Sequence, residues 1–132
     1  MLKSSISISD LPLSDRLCVL FNYFPDGSYN PDMPKMDLFF YRHRKDLGAG
    51  LSFNLSQPPY SPDLRKAYEN LHASRILEYS NPRLRFTINR EVCSKVINEF
   101  IRRDGNEEKM LDEDDILEFK VLAGELAHIL QT

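Results

Sequence analysis

The side chains that could perform chemistry are few and lie far apart in the sequence. The three histidines are His43, His72 and His128, and no two have the HxxxH or HExxH spacing that places two metal ligands on one helix face. The two cysteines, Cys18 and Cys93, lie in apolar segments and lack the CxxC spacing of metal and redox motifs. We therefore expect surface or core histidines and two free, buried thiols.

Other signatures of catalysis are missing from the sequence. The chain has only five glycines and no Gly-rich phosphate-binding loop, and no serine lies in a GxSxG motif. The acidic run at residues 112–115 is better interpreted as a helix start, because four consecutive helical residues point in different directions and acids favour a helix N-terminus. The sequence predicts no catalytic residue, no metal and no cofactor, and so a protein that is not an enzyme.

Charge is distributed unevenly along the 132 residues, although the net charge is only −3. Residues 32–90 carry ten Lys and Arg against six Asp and Glu, a balance of +4. Residues 91–132 carry five against eleven, a balance of −6. A basic segment suits phosphate groups, whereas an acidic segment suits a basic protein surface.

Length and composition indicate one compact domain. At 132 residues, 42% of them hydrophobic, the chain can bury one core but is short for two. No apolar run approaches the roughly 20 residues of a membrane span, and the first ten residues lack the apolar region of a secretory signal. We expect a single domain over residues 1–132, located in the cytoplasm and without membrane contact.

Apolar spacing and end signals predict five helices. Ser14 is a suitable cap for the first helix and Asp32 precedes the second. Ser61-Pro62-Asp63 is the strongest local signal, because it combines a cap, a proline at the first helical position and an acid near the positive end of the helix. The fourth helix is expected after Asn89 and the fifth from the acidic run at residues 112–115.

Three short segments have the composition of β-strands. They are "LSFNL" at residues 51–55, "ILEYS" at residues 76–80 and "LRFTI" at residues 84–88, with Asn81-Pro82 as the turn between the last two. Helix, helix, short strand, helix and hairpin is the order of a winged helix-turn-helix, with the helix that begins after Ser61 in the recognition position.

Three stretches carry a resemblance to a known family. They are "PKMDLFFYRH" (residues 34–43), "LSFNLSQPPYSPDL" (residues 51–64) and "SRILEY" (residues 74–79), and the most specific part is Tyr60-Ser61-Pro62-Asp63-Leu64. The segment from about Met33 to Ile88 resembles the winged-helix family that includes the YwgA-like proteins and the SocA/Panacea antitoxin domains. The resemblance implies non-catalytic roles, either as antitoxin or regulatory modules or as small middle subunits of three-component anti-phage systems built around an SMC-like ABC ATPase.

The fold expected from these observations is mainly α, of the α+β class. It is a winged helix-turn-helix with a wing of two to three strands and two additional C-terminal helices. The winged-helix core is expected over residues 14–88 and the C-terminal helical extension over residues 89–132.

A set of nine residues is predicted to form a nucleic-acid-binding face. Phosphate contacts would come from the C-terminal end of the second helix and from the wing. Base contacts would come from the exposed side of the third helix. The nine residues are Arg42, Arg44, Lys45, Arg65, Lys66, Asn70, Arg75, Arg83 and Arg85.

Two functional hypotheses remain open at this point. In the first, the protein is an accessory subunit of a bacterial defence complex that docks on a larger protein and contacts duplex DNA weakly and nonspecifically. Its acidic C-terminal helices, with Glu118 and Glu125, would bind the partner. In the second, it is a stand-alone DNA-binding regulator or antitoxin that pairs with a toxin and forms a homodimer through its last helix.

Overall fold

A computed structural model of the protein describes residues 5–47, 51–55, 59–80, 85–102 and 110–131. This part of the chain contains five α-helices, as the sequence predicts, and two small sheets. The helices are α1 (Leu13–Asn22), α2 (Met33–Arg42), α3 (Pro62–Ala73), α4 (Arg90–Arg102) and α5 (Glu113–Gln131). The strands are β1 (Ser5–Ile6), β2 (Leu77–Ser80), β3 (Arg85–Ile88) and β4 (Met110–Leu111), and a short 3₁₀ helix (Ile8–Asp10) precedes α1.

The first α-helix lies at the centre of the protein. Residues 16–21 are all buried, so α1 is covered around its whole circumference, and it packs against α3, α4 and α5. Arg16 is among these buried residues, and it donates hydrogen bonds to the carbonyls of Leu11 (3.1 Å) and Leu47 (2.8 Å). Burial lowers the pKa of Arg16, and the two carbonyls compensate for the lost hydration of its guanidinium group.

The starts of α2, α3 and α4 follow the capping signals of the sequence, whereas α1 starts earlier than its signal indicates. Asp32, Ser61 and Asn89 each accept a hydrogen bond from a backbone N–H in the first turn of α2, α3 and α4, as expected of caps. The prediction that Ser14 caps α1 is wrong by two residues, because α1 begins at Leu13 and Pro12 is the cap. The Pro12 carbonyl accepts from the Arg16 N–H, which leaves Ser14 inside the first turn.

The strands β2 and β3 form the predicted antiparallel hairpin, with Leu77 opposite Ile88 and Ser80 opposite Arg85. The turn expected at Asn81-Pro82 lies outside the described residues. Tyr29 adds a single bridge to Phe86 on the outer side of β3. The hairpin is therefore tied to the loop that follows α1 as well as to α3.

The strand predicted at residues 51–55 is not present. In this described segment only Asn54 forms a bridge, and its partner is Tyr60, six residues further along the chain. Leu55, which the alternating pattern would place on a buried face, is 73% exposed. The segment folds back on the approach to α3 and does not join the hairpin, so the described antiparallel sheet has two strands, β2 and β3.

The two C-terminal helices share the core of the first three. Cys93 of α4 and Phe119, Leu122, Leu126 and Leu130 of α5 belong to the same buried cluster as α1. The helix α5 also packs against α2. The helices α4 and α5 are therefore part of the core, because they complete the burial of α1.

The acidic run before α5 has structural partners. The Asp112 carboxylate accepts from the N–H groups of Asp114 and Asp115, which confirms that the run starts the helix. Asp115 in turn accepts hydrogen bonds from the Ile8 N–H and the Ser7 hydroxyl. Beside this contact β1 and β4 pair in parallel, a pairing that the sequence did not predict.

Candidate interaction surfaces

Two of the nine predicted nucleic-acid-binding residues, Arg85 and Arg65, are held by contacts that join separate elements of the fold. Arg85 donates to the Ser28 hydroxyl (2.9 Å), the Ser28 carbonyl (2.8 Å) and the Asn30 side chain (3.3 Å). Arg65 lies 3.5 Å from the buried carboxylate of Asp37 and over the ring of Tyr60. Phosphate binding by these two guanidinium groups would compete with contacts that hold the fold together.

Asp37 explains why Arg65 is placed in this way. Its carboxylate is buried and accepts a hydrogen bond from the Ser61 N–H at the start of α3 (3.3 Å). Burial raises the pKa of Asp37, while the Ser61 N–H and Arg65 oppose that rise. Arg65 is thus the counter-ion of a buried acid that joins α2 to α3, and half of its side chain remains exposed.

Four other candidates line three separate grooves on the surface. Arg42 lines a groove of about 340 Å³ between α2 and α5, together with His128. Lys66 and Asn70 line a groove of about 490 Å³ between the exposed side of α3 and the start of α1. Arg75 lies at a third, shallow groove beside the hairpin.

Of the last three candidates, Arg44 and Lys45 follow α2. Arg44 donates to the Tyr41 carbonyl (2.9 Å) and lies over the Tyr41 ring, and Lys45 is exposed. Arg83 lies outside the described residues. Lys66 and Asn70 are the pair that the structure clearly brings together in one groove, so a continuous basic face over all nine residues stays a prediction.

His72 belongs to an aromatic cluster that joins α3 to the hairpin. Its ring stacks on Tyr79 with a centroid distance of 4.0 Å, and the hydroxyls of Tyr79 and Tyr68 lie 3.3 Å apart. Burial lowers the pKa of His72, and a hydrogen bond with the Leu77 backbone opposes this effect only partly. His72 is therefore neutral at physiological pH and has a packing role.

His43 and Asp46, which follow α2, lie beside two acids of α5, Glu125 and Glu118. His43 packs on Phe39, and its Nε2 atom lies 3.9 Å from the carboxylate of Glu125. The neighbouring carboxyl of Asp46 raises the pKa of Glu118, because two carboxyl groups that share a hydrogen bond hold a proton more tightly than either does alone. The carboxylates of Glu118 and Glu125 are nevertheless largely exposed and lie toward the α2 side of the outer face of α5.

The outer face of α5 carries an apolar strip that sequence analysis did not identify. Leu117 and Val121 lie one turn apart, and each is 61% exposed. One turn further, Gly124 has no other part of the described protein within 4 Å of where a Cβ atom would lie. Leu117 and Val121 do not follow the helical spacing of the buried residues, which include Phe119 and Leu122. This difference in spacing is the sequence signal that could have revealed the strip.

Several classes of site are not found in the described part of the chain. Its residues contain no group of three or more His, Cys, Asp or Glu side chains arranged to hold a metal ion. None of its helices combines the length and apolar character that crossing a membrane requires. Comparisons with protein-family models, curated proteins and solved structures gave no match.

The contacts of Arg85 predict a structural cost for its loss. We expect Arg85→Gln to lower the free energy of unfolding by about 1–3 kcal/mol, because three hydrogen bonds to the loop at residues 28–30 are weakened or lost. Arg75→Gln is the matched control, since Arg75 is exposed, and it should change stability little. Urea unfolding of both variants measures the difference, and equal stabilities would contradict the structural role of Arg85.

The environment of His72 predicts a pH dependence of stability. Because its pKa is lowered in the folded protein, the unfolded chain binds the proton more readily, and stability falls as the pH drops below about 6.5. His72→Phe keeps an aromatic ring against Tyr79 and should reduce the fall in Tm between about pH 7 and pH 5. His128→Phe, at an exposed position, is the control. A slope unchanged by His72→Phe would contradict this assignment.

Proposed function

We propose that the protein is a non-catalytic subunit that docks on a larger protein through the outer face of α5. The observation that carries this proposal is the strip formed by Leu117, Val121 and Gly124. Single exposed apolar residues are common on protein surfaces, but here two are aligned one turn apart. The glycine in the next turn would let a partner helix approach the α5 backbone closely.

The charges around the strip indicate the chemistry of the partner. Glu113, Asp114, Glu118 and Glu125 are exposed on α5, and Lys120 is the basic residue in the described helix. A partner surface with apolar residues bordered by Lys and Arg would complement this face, and the opposite charges would speed association. A second copy of the chain would bring acid against acid, which argues against a homodimer through α5.

We also propose that the fold is a winged helix-turn-helix. The order α2, α3, β2 and β3 supports it, as does the position of α3 between α1 and the hairpin. On the family resemblance, we propose that the complex is a bacterial defence system against phage or plasmids and that the larger partner is an SMC-like ABC ATPase.

Stand-alone DNA recognition has less support. Arg65 and Arg85 are engaged inside the protein, and the groove that holds Lys66 and Asn70 also contains Asp63. Lys66, Asn70, Arg42 and Lys45 remain exposed and are suited to weak phosphate contacts within a larger assembly. The regulator or antitoxin hypothesis is therefore the second candidate.

The docking proposal predicts a selective loss of partner binding. The product of each adjacent gene would be co-expressed with the full chain, and affinities would be measured with the purified pair. We expect the double variant Leu117→Gln, Val121→Gln to weaken binding by about tenfold or more, because two apolar contacts are lost. Leu55→Gln removes a leucine elsewhere that is even more exposed, 73% against 61%, and should leave binding unchanged. Equal affinities for all three proteins would contradict docking through α5.

A second measurement separates the two candidate functions. The purified protein alone should bind duplex DNA weakly and with little sequence preference, and binding should weaken as salt rises. Lys66→Gln should lower this affinity, whereas Lys95→Gln should not, because Lys95 lies on α4, away from the α3 groove, and pairs with Glu91 one turn earlier on the same helix. Tight binding to one operator sequence at physiological salt would favour the regulator.

A further inference from the structure

The two cysteines of the chain meet in the core, although 74 residues separate them in sequence. Cys18 lies on α1 and Cys93 on α4, and both side chains are 0% exposed. Their Sγ atoms are 3.1 Å apart, and both thiols are free. The sequence predicts free, buried thiols, which the structure confirms, but it contains no local signal that would place the two together.

The surroundings hold this pair in place. The Cys93 thiol also donates to the Cys18 carbonyl at 3.1 Å, so each residue contacts the backbone or the sulfur of the other. One turn before Cys93, Arg90 donates to the carbonyls of Asn22 and Phe24 at the end of α1. The two helices are thus fixed against each other within about one turn of the sulfur atoms.

We propose that Cys18 and Cys93 form a reversible disulfide that joins α1 to α4 when the protein meets an oxidant. A disulfide has a sulfur–sulfur bond of about 2.05 Å, so the two atoms, now 3.1 Å apart, need to approach by only about 1 Å. Such a movement lies within the range of small side-chain rotations and requires no rearrangement of the helices.

The two thiols differ in a way that assigns their roles. The hydrogen bond with Cys18 lowers the pKa of Cys93 and outweighs the opposing effect of burial, and the positive charge of Arg90 lowers it further, whereas the same hydrogen bond and burial raise the pKa of Cys18. In the proposed reaction Cys93 is therefore the attacking thiol and Cys18 the resolving thiol.

With a peroxide as oxidant, the reaction is balanced in two steps. The Cys93 thiolate attacks one peroxide oxygen, the O–O bond breaks, and the departing hydroxide takes up the proton from the Cys93 thiol and leaves as water. The Cys18 sulfur then attacks the Cys93 sulfur of the sulfenic acid, the S–O bond breaks, and the leaving hydroxyl takes the Cys18 thiol proton and departs as a second water. Two thiols and one hydrogen peroxide give one disulfide and two waters, and a dithiol reductant reverses the change.

The test compares disulfide formation in the folded and unfolded full-length chain. The protein would be equilibrated with mixtures of reduced and oxidised glutathione, in native buffer and in concentrated urea, and the disulfide quantified by intact mass after acid quenching. We expect the effective concentration of the two thiols to be at least about 100-fold higher in native buffer, because the fold holds them together. An equal or lower value in native buffer would overturn the proposal.

The disulfide should also stabilise the folded wild-type protein. By thermodynamic linkage, a disulfide that forms more readily in the folded state must raise the Tm of the oxidised protein above that of the reduced protein. Cys18→Ala and Cys93→Ala, each with one remaining cysteine, should show no such rise after the same oxidation. An oxidised wild-type protein with an unchanged or lower Tm would also overturn the proposal.

Discussion

Burial of α1 on every side is the constraint on which the rest of the structure depends. A helix whose residues 16–21 are all buried needs neighbours around its whole circumference, and α3, α4 and α5 supply them. The same constraint makes the buried Arg16 possible, because two fixed carbonyls replace its water. The hairpin and α2 are attached to this assembly through Tyr29, Phe86 and the packing of α2 on α5.

The two faces of α5 show how one helix can serve both the fold and an interaction. Phe119, Leu122, Leu126 and Leu130 point into the core, and Leu117 and Val121 point away from it. A helix that is fixed by its buried face presents its outer face as a rigid surface, so little conformational entropy would be lost on docking. This arrangement explains why completing the core and binding a partner are compatible roles for the acidic C-terminal third.

Features with local causes were predictable from the sequence, and features that depend on distant contacts were not. The caps at Ser61 and Asn89 and the strands of the hairpin depend on residues only a few positions away, and the structure contains them. The segment at residues 51–55 has the alternation of a strand, but among the described residues its one bridge joins Asn54 to Tyr60 and it pairs with neither strand of the hairpin. Arg85 was predicted to face DNA because nothing in the local sequence shows that Ser28 and Asn30 would bind it.

The position of α5 in the sequence has a consequence for how the protein is made. α1 is synthesised early, but one of the helices that bury it consists of residues 113–131, close to the end of the described chain. Pairings such as Ser5 with Met110 likewise join the first and last parts of that chain. Contacts of such long sequence separation form late, because the intervening chain must first be ordered. The apolar surface of α1 therefore stays incompletely covered until α5 has been synthesised, and the native core is complete only after that helix has packed against it.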